Sequence, residues 1–329
     1  MDTFKSFESK LYHSNAGSFT DIALETFRFQ ALNNPIYADF MHHLRVDPAG
    51  VSTLEQIPFL PISFFKHHAI KTGIWQTSTT FTSSGTTGAD VSRHPVKSLE
   101  FYREHARKGF ELFFGALSDY NFLALLPSYL ERQGSSLIAM IDYFIRQSGS
   151  PYSAFYLHDV EKMMADIENL REDPRKTIVW GVSFALLDLA EQFHPDLSHC
   201  LIFETGGMKG RRKEIIRAEL HHTLKTRFNV SKVYSEYGMT ELLSQAYTDG
   251  GNSFKTPPWM KIIVRDVADP FEKGQIGRGG GINVIDLANF RSISYIETED
   301  SGTVFANGSF EVMGRIDNSD RRGCNLLVE

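Results

Sequence analysis

From about residue 120 to 240, short and nearly unbroken apolar runs alternate with longer stretches whose apolar residues recur every three or four positions. The runs NFLALLP (121–127), TIVWGV (177–182), CLIFETGG (200–207) and KVYSEYG (232–238) predict strands covered on both faces. Between them, SSLIAMIDYFIRQ (135–147), FALLDLAEQF (184–193) and KEIIRAELHHTLKTRF (213–228) carry helical periodicity. This alternation predicts βαβ units and a mostly parallel sheet, so the fold class is α/β. The N-terminal part, up to about residue 50, reads as helices, with Asn34-Pro35 as N-cap and first helical position of IYADFMHHL. A further helix is expected over 98–114. From Gly277 the pattern changes to the short alternating segments GINVIDLANF, SISYIET and SFEVMGRI, with Asn307-Gly308 as a hairpin turn. These predict a small antiparallel β subdomain. The expected organisation is a helical part at 1–79, an α/β core at 80–276, the antiparallel subdomain at 277–315 and a tail at 316–329.

Composition narrows the function classes. The 329 residues are 42% hydrophobic and 22% charged, as in a globular chain with a large core. A formal net charge of -6 gives no footprint for nucleic acid or an anionic membrane. No apolar run is long enough to span a bilayer, and MDTFKSFESKLYHSN lacks a secretory pattern. Cys200 and Cys324 lie far apart, which argues against a disulfide framework and for a reducing, cytoplasmic setting.

The stretch TFTSSGTTGADVSRHP (80–95) concentrates hydroxyls and glycines. Such a loop wraps polyphosphate, because small residues let backbone N–H groups approach and hydroxyls donate; it is not the Walker sequence, and by itself it also suits a surface loop. SEYGMTE (235–241) follows a predicted strand, at the edge where ligands bind in parallel sheets. It offers an aromatic plane, a close-approach glycine, a hydroxyl and a carboxylate, suited to a purine, a phosphate and Mg²⁺. ETGG (204–207) ends another strand, ETEDSG (297–302) supplies Asp300 for ribose hydroxyls, and GRID (314–317) supplies Arg315.

The ordered set TSSGTTG, ETGG, YGMTE, TEDSG and GRID resembles the motifs of the adenylate-forming enzymes that include acyl-CoA synthetases, luciferases and phenylacetate-CoA ligases. The resemblance runs from about residue 80 to 323, and within it LPSYLERQGSSL (126–137) and the end RRGCNLLVE are most similar to the acyl-protein synthetases of bacterial bioluminescence. It implies the N-terminal body of such an enzyme, using ATP and Mg²⁺ to activate a fatty or other carboxylic acid as an acyl-adenylate. By resemblance Thr82, Ser83, Ser84, Gly85, Thr86, Thr87 and Gly88 hold the β- and γ-phosphates. Gly206, Gly207, Tyr237 and Gly238 flank the adenine, Thr240 touches the α-phosphate, Glu241 holds Mg²⁺, Asp300 binds ribose, and Arg315 lies near ribose or phosphate. Tyr129, Glu131 and Arg132 stand where an acyl site is expected, or form a structural ion pair. Cys324 is implied as the thiol that receives the acyl group for delivery to an acyl reductase.

Three departures qualify this. The lysine that commonly follows the phosphate loop is replaced by ADVSRHPVK, with Arg93 and Lys97 as substitutes out of register. The aromatic-His motif of the acyl site is replaced by PSYLERQ, and the mobile C-terminal domain with its catalytic lysine does not follow. An acyl-CoA ligase-like enzyme served by a separate domain, and a non-catalytic nucleotide- or acyl-binding relative, therefore stand as alternatives. Other features carry structural readings. The doublets His42-His43, His67-His68 and His221-His222 have no metal-ligand spacing and read as packing or surface groups. GRGGG (277–281) reads as a tight connection in preference to a phosphate contact, and the 26 phenylalanines read as core, an excess that would also suit a lipid-lined tunnel.

Overall fold

The computed structural model describes residues 3–83, 91–127, 134–206 and 215–316. The chain forms two compact units, one of Gln76–Pro257 and one of Met1–Trp75 with Pro258–Glu329.

In the first unit, five strands run parallel in the order Ala154–Phe155, Tyr120–Leu125, Lys176–Val182, Cys200–Thr205, Val233–Tyr237. Ala246–Thr248 then pairs antiparallel with Val233–Tyr237, and Phe254–Lys255 antiparallel with Ala246–Thr248. Tyr120–Leu125 is buried at every position, the mark of a strand with helices on both faces. Period-2 alternation sorts the side chains between those faces. One row, Trp180, Phe203 and Tyr234, stacks across three strands with ring centroids 4.7 and 5.0 Å apart, and meets Phe110 and Phe114 of the helix Leu99–Phe114. The next residue in each of two strands, Glu204 and Ser235, points the other way, toward His221 on the helix Arg217–Phe228. The phenylalanine excess is thus spent here largely on a packed aromatic core, where offset and edge-on pairs add to burial.

Local signals account for the helix ends. Ser98 and Ser135 accept the backbone N–H of Phe101 and Ile138, capping Leu99–Phe114 and Ser136–Ser148. Arg217–Phe228 starts later than its periodicity predicts, because Ile216 is extended, with ψ 149°. A separate hairpin, Thr79–Thr82 with Arg93–Val96, carries the hydroxyl-rich loop between its strands.

The second unit is an antiparallel sheet in the order Met260–Arg265, Gly279–Asp286, Tyr295–Val304, Phe310–Arg315, with Leu60–Pro61 added parallel to Tyr295–Val304. Asn307 Oδ1 accepts the Ser309 N–H, 3.0 Å, in the turn between the last two strands. Helices Phe19–Asn33 and Pro35–Leu44 pack against the turn before Tyr295. Gln30 is fully buried, donating to the Asn289 carbonyl at 3.1 Å and accepting the Ser294 N–H at 3.0 Å. Asn34 caps Pro35–Leu44 by accepting the Tyr37 N–H, and its amide donates to the Ser292 carbonyl at 2.9 Å. These buried amides satisfy loop backbone across more than 250 positions of sequence. The GRGGG segment is mostly strand, since Gly279–Asp286 includes its last three glycines. Among the described residues no helix is long and apolar enough to cross a membrane.

Candidate functional site

The carboxyl ends of Cys200–Thr205 and Val233–Tyr237 lie side by side, with Thr205 opposite Glu236. Gly206 therefore emerges beside Tyr237 and Gly238 at one edge of the parallel sheet. Gly206 and Gly238 are exposed, while Tyr237 packs its ring on Phe254 at 5.8 Å. Thr205 Oγ1 donates to the Glu236 carboxylate, tying the two strand ends together. A methyl group on Gly238 would meet Glu236 Oε1 and displace the carboxylate that Thr205 Oγ1 engages.

Below this edge lies a buried polar cluster. Ser235 Oγ donates to Glu204 Oε1 at 2.6 Å and accepts from His221 Nε2 at 3.2 Å. Arg217 Nε approaches the same carboxylate oxygen at 3.3 Å, and Ser183 Oγ stands 2.9 Å from the Gly206 carbonyl and 3.2 Å from Glu204 Oε2. Burial pushes the Glu204 carboxyl up, but the His221 hydrogen bond, the Arg217 charge and the Ser235 hydroxyl outweigh it and hold the pKa below the usual range. His221, half of one doublet, is thereby a buried hydrogen-bonding group of the fold.

Thr240 and Glu241 follow on the turn after Gly238, and Glu241 is 5% exposed. His94 Nδ1 donates to the Thr240 carbonyl at 3.0 Å. His94 belongs to the hairpin that carries the hydroxyl loop, so this bond joins the loop's base to the YGMTE segment. The loop's neck is closed by Ser83 N–H to the Ser92 carbonyl, 3.2 Å, and Ser92 N–H to Ser83 Oγ, 3.0 Å. Thr82 N–H donates to the Gly134 carbonyl at 2.7 Å, which attaches the neck to the end of the LERQG segment as well. Arg93 pairs in register with Thr82 and is exposed, as is Lys97. Burial drives the His94 pKa down to about 4, against a smaller opposing effect of the Thr240 carbonyl. His105, 2.9 Å from Ser244 Oγ, falls to about 3 through burial and the nearby Lys108 charge. Both rings are therefore neutral at pH 7 and serve as hydrogen-bonding struts beneath residues 240–244.

The sequence singles out neither His94 nor His105: each partner lies more than 130 positions away, and a lone histidine has no local signature. In the other unit, Asp300 and Arg315 are cross-strand partners. Asp300 is half-buried and Arg315 exposed. Ser84, Gly85, Thr86, Thr87, Gly88, Tyr129, Glu131, Arg132, Gly207 and Cys324 lie outside the described residues. Cys200 is a buried thiol whose pKa burial pushes up to about 12, which leaves it protonated and unreactive.

A parallel α/β unit with motif-bearing strand ends, and a second unit built on an antiparallel sheet, make up an α/β fold that solved structures share. The ATP-bound structure of MatB from Rhodopseudomonas palustris is similar at TM-score 0.54 and 17% identity, over 73% of this chain and 48% of that one. The structure of 2-hydroxyisobutyryl-CoA ligase with 2-HIB-AMP and CoA in the thioesterification state is similar at TM-score 0.68 and 14% identity, over 92% of this chain and 69% of that one. Its open conformation with the same ligands gives TM-score 0.65 at 13% identity. The chain thus spans about half the length of the MatB structure. The sequence matches no protein-family model and no curated protein sequence.

Proposed function

We propose that this chain activates a carboxylic acid with ATP, forming an acyl-adenylate and releasing pyrophosphate. The observation that carries the reading is the His94–Thr240 bond, which joins the neck of the hydroxyl-glycine loop to the YGMTE turn beside Gly206. The described residues of three motifs that the resemblance assigns to one nucleotide, Thr82 and Ser83, Glu204–Gly206 and Tyr237–Glu241, belong to one unit. ATP-bound MatB and adenylate-bound 2-hydroxyisobutyryl-CoA ligase share the fold, which supports nucleotide use here.

The chemistry suits the groups present. A carboxylate is ionised at neutral pH and needs no general base, but its attack on phosphorus brings negative charges together. Donors from the loop and from Thr240 offset that repulsion. One buried carboxylate, Glu241, and one hydroxyl fit a Mg²⁺ that arrives on the phosphates, since Mg²⁺ commonly takes only one or two protein carboxylates. No group of three His, Cys, Asp or Glu side chains that could hold a metal by themselves occurs among the described residues. Mg²⁺ held there would neutralise phosphate charge.

In this reading the acid is a fatty acid, and the acyl group passes to Cys324, whose arginine neighbours Arg321 and Arg322 favour the thiolate. The thiolate attacks the acyl carbonyl, a thioester forms and AMP leaves; an acyl reductase is the expected recipient. CoA is the alternative acceptor, because the 2-hydroxyisobutyryl-CoA ligase structure holds CoA with its adenylate. The test is incubation with ATP, Mg²⁺ and labelled fatty acid. The full chain should acquire a hydroxylamine-sensitive label, and Cys324→Ser should lose it while keeping acid-dependent ATP–pyrophosphate exchange. Label that persists in Cys324→Ser removes the carrier role, and absence of exchange with every acid tried removes the adenylation reading.

A further inference from the structure

Arg265 ends the strand Met260–Arg265 and pairs in register with Gly281 on the neighbouring strand. Its side chain does not turn to solvent but lies across Gly281, where a Cβ would stand 2.5 Å from Cζ and 2.7 Å from Nη1. The guanidinium thereby reaches the third strand, Tyr295–Val304. Nη2 donates to the Thr298 carbonyl at 2.7 Å, and Nη1 donates to the Ile282 carbonyl at 2.8 Å and to Asn283 Oδ1 at 2.9 Å. Glu297 Oε1 lies 3.5 Å from Nη2.

The position matters because the two strands are out of step there. Gly281 faces Ser301 and Asn283 faces Glu297, so Ile282 alone stands opposite residues 298–300. The segment that carries Asp300 therefore arches out of the ladder with Gly279–Asp286, while Asp300 stays paired with Arg315 on its other side. Toward Gly279–Asp286, side chains bridge the strands at the arch, while on the other side the Ile316 N–H donates to the Glu299 carbonyl at 2.7 Å. Beside the guanidinium, Thr298 Oγ1 donates to the Ile282 carbonyl at 2.7 Å and accepts the Asp300 N–H at 3.1 Å. An arginine that is 4% exposed is costly to desolvate, and a regular ladder would satisfy its own carbonyls without one. A fork of fixed geometry can hold two carbonyls at once, which a lysine cannot match.

We propose that Arg265 is a positioning residue for nucleotide binding: its guanidinium, passing over Gly281, sets the arch that presents Asp300 to the ribose hydroxyls. The inference rests on reading Asp300 as the ribose-binding carboxylate, and it gives Gly281, the last of the glycine run, a purpose, clearance for the guanidinium.

The experiment compares ATP with 2′-deoxy-ATP and 3′-deoxy-ATP in acid-dependent pyrophosphate exchange by the full chain. Arg265→Lys and Gly281→Ala are each expected to raise KM for ATP roughly tenfold. Both should shrink the preference for ATP over the deoxynucleotides, with kcat, KM for the acid and the circular-dichroism melt little changed. Gly281→Ala displaces the guanidinium without removing its charge, so it carries the test should Arg265→Lys fail to fold. Asp300→Asn is the reference and should abolish the preference. If Asp300→Asn abolishes it while both other variants keep it, the positioning role is wrong. Equal losses in kcat, acid KM and ATP KM would also overturn it, as a general structural effect. Should Asp300→Asn keep the preference, the ribose reading itself falls and the proposal with it.

Discussion

Glu241→Gln is expected to lower acid-dependent ATP–pyrophosphate exchange by about 100- to 1,000-fold, the range lost when one preorganised charge contact to a phosphoryl transition state is removed. The substitution keeps the shape of the side chain and removes only its charge. Glu241 sits at 5% exposure on the turn after Gly238, where His94 anchors the Thr240 carbonyl and with it the backbone that carries the carboxylate. Prepositioned charge is worth more in such a dry setting than in water, because little reorganisation accompanies the reaction. The rate should fall while the melting temperature stays within a few degrees of the wild type. Titration with Mg²⁺ separates the metal role from others, since the variant should need more Mg²⁺ to reach its own maximum. Exchange at the wild-type rate would remove Glu241 from the metal site.

The second large effect is on stability in acid. His94 titrates at about 4 and His105 at about 3 in the folded chain, both depressed first by burial, against about 6.5 when unfolded. Between pH 6.5 and 4 the unfolded chain binds protons at these positions that the folded chain refuses. Stability is therefore full above pH 6.5 and is lost as pH falls. At pH 4 the two histidines together cost roughly 6 kcal/mol, comparable with the whole stability of many domains. The Glu204 carboxyl, whose pKa is lowered in the folded state, adds a loss of the same sign at lower pH. Urea unfolding followed by tryptophan fluorescence should show a midpoint that drops steeply from pH 6.5 to 4.5. The double variant His94→Gln, His105→Asn should be less stable at pH 7 yet lose much less over that interval. A flat wild-type profile would mean that the rings are protonated in the native state, which their buried positions oppose.

Much of the first unit is legible in the chain because its signals are local. The run NFLALLP is apolar on both alternations, and it becomes a strand buried at every position. Ser98 and Ser135 here, and Asn34 before Pro35 in the other unit, act within three residues of themselves, so their caps need no tertiary information. The exposed Gly206 and Gly238 at strand ends likewise follow from where apolar runs stop. What escapes the sequence is every relation between distant segments. GRGGG looks like a connection, because nothing near it in the chain reveals that an arginine 16 positions earlier passes over Gly281.

By itself, then, the sequence determined the alternation of strands and helices, their caps and the small-residue motifs at strand ends, all of which arise from interactions within a few residues. Tertiary structure decided that residues 1–75 share a unit with the antiparallel strands beyond 258, through buried amides such as Gln30 and Asn34 that answer carbonyls at 289 and 292. It also decided which histidines are struts and which partners let a glutamate be buried at 204. The physical reason is common to these cases. A buried polar group must find a partner, and that partner is chosen by packing in three dimensions, whereas the amino-acid order constrains only the neighbours within a turn or a strand.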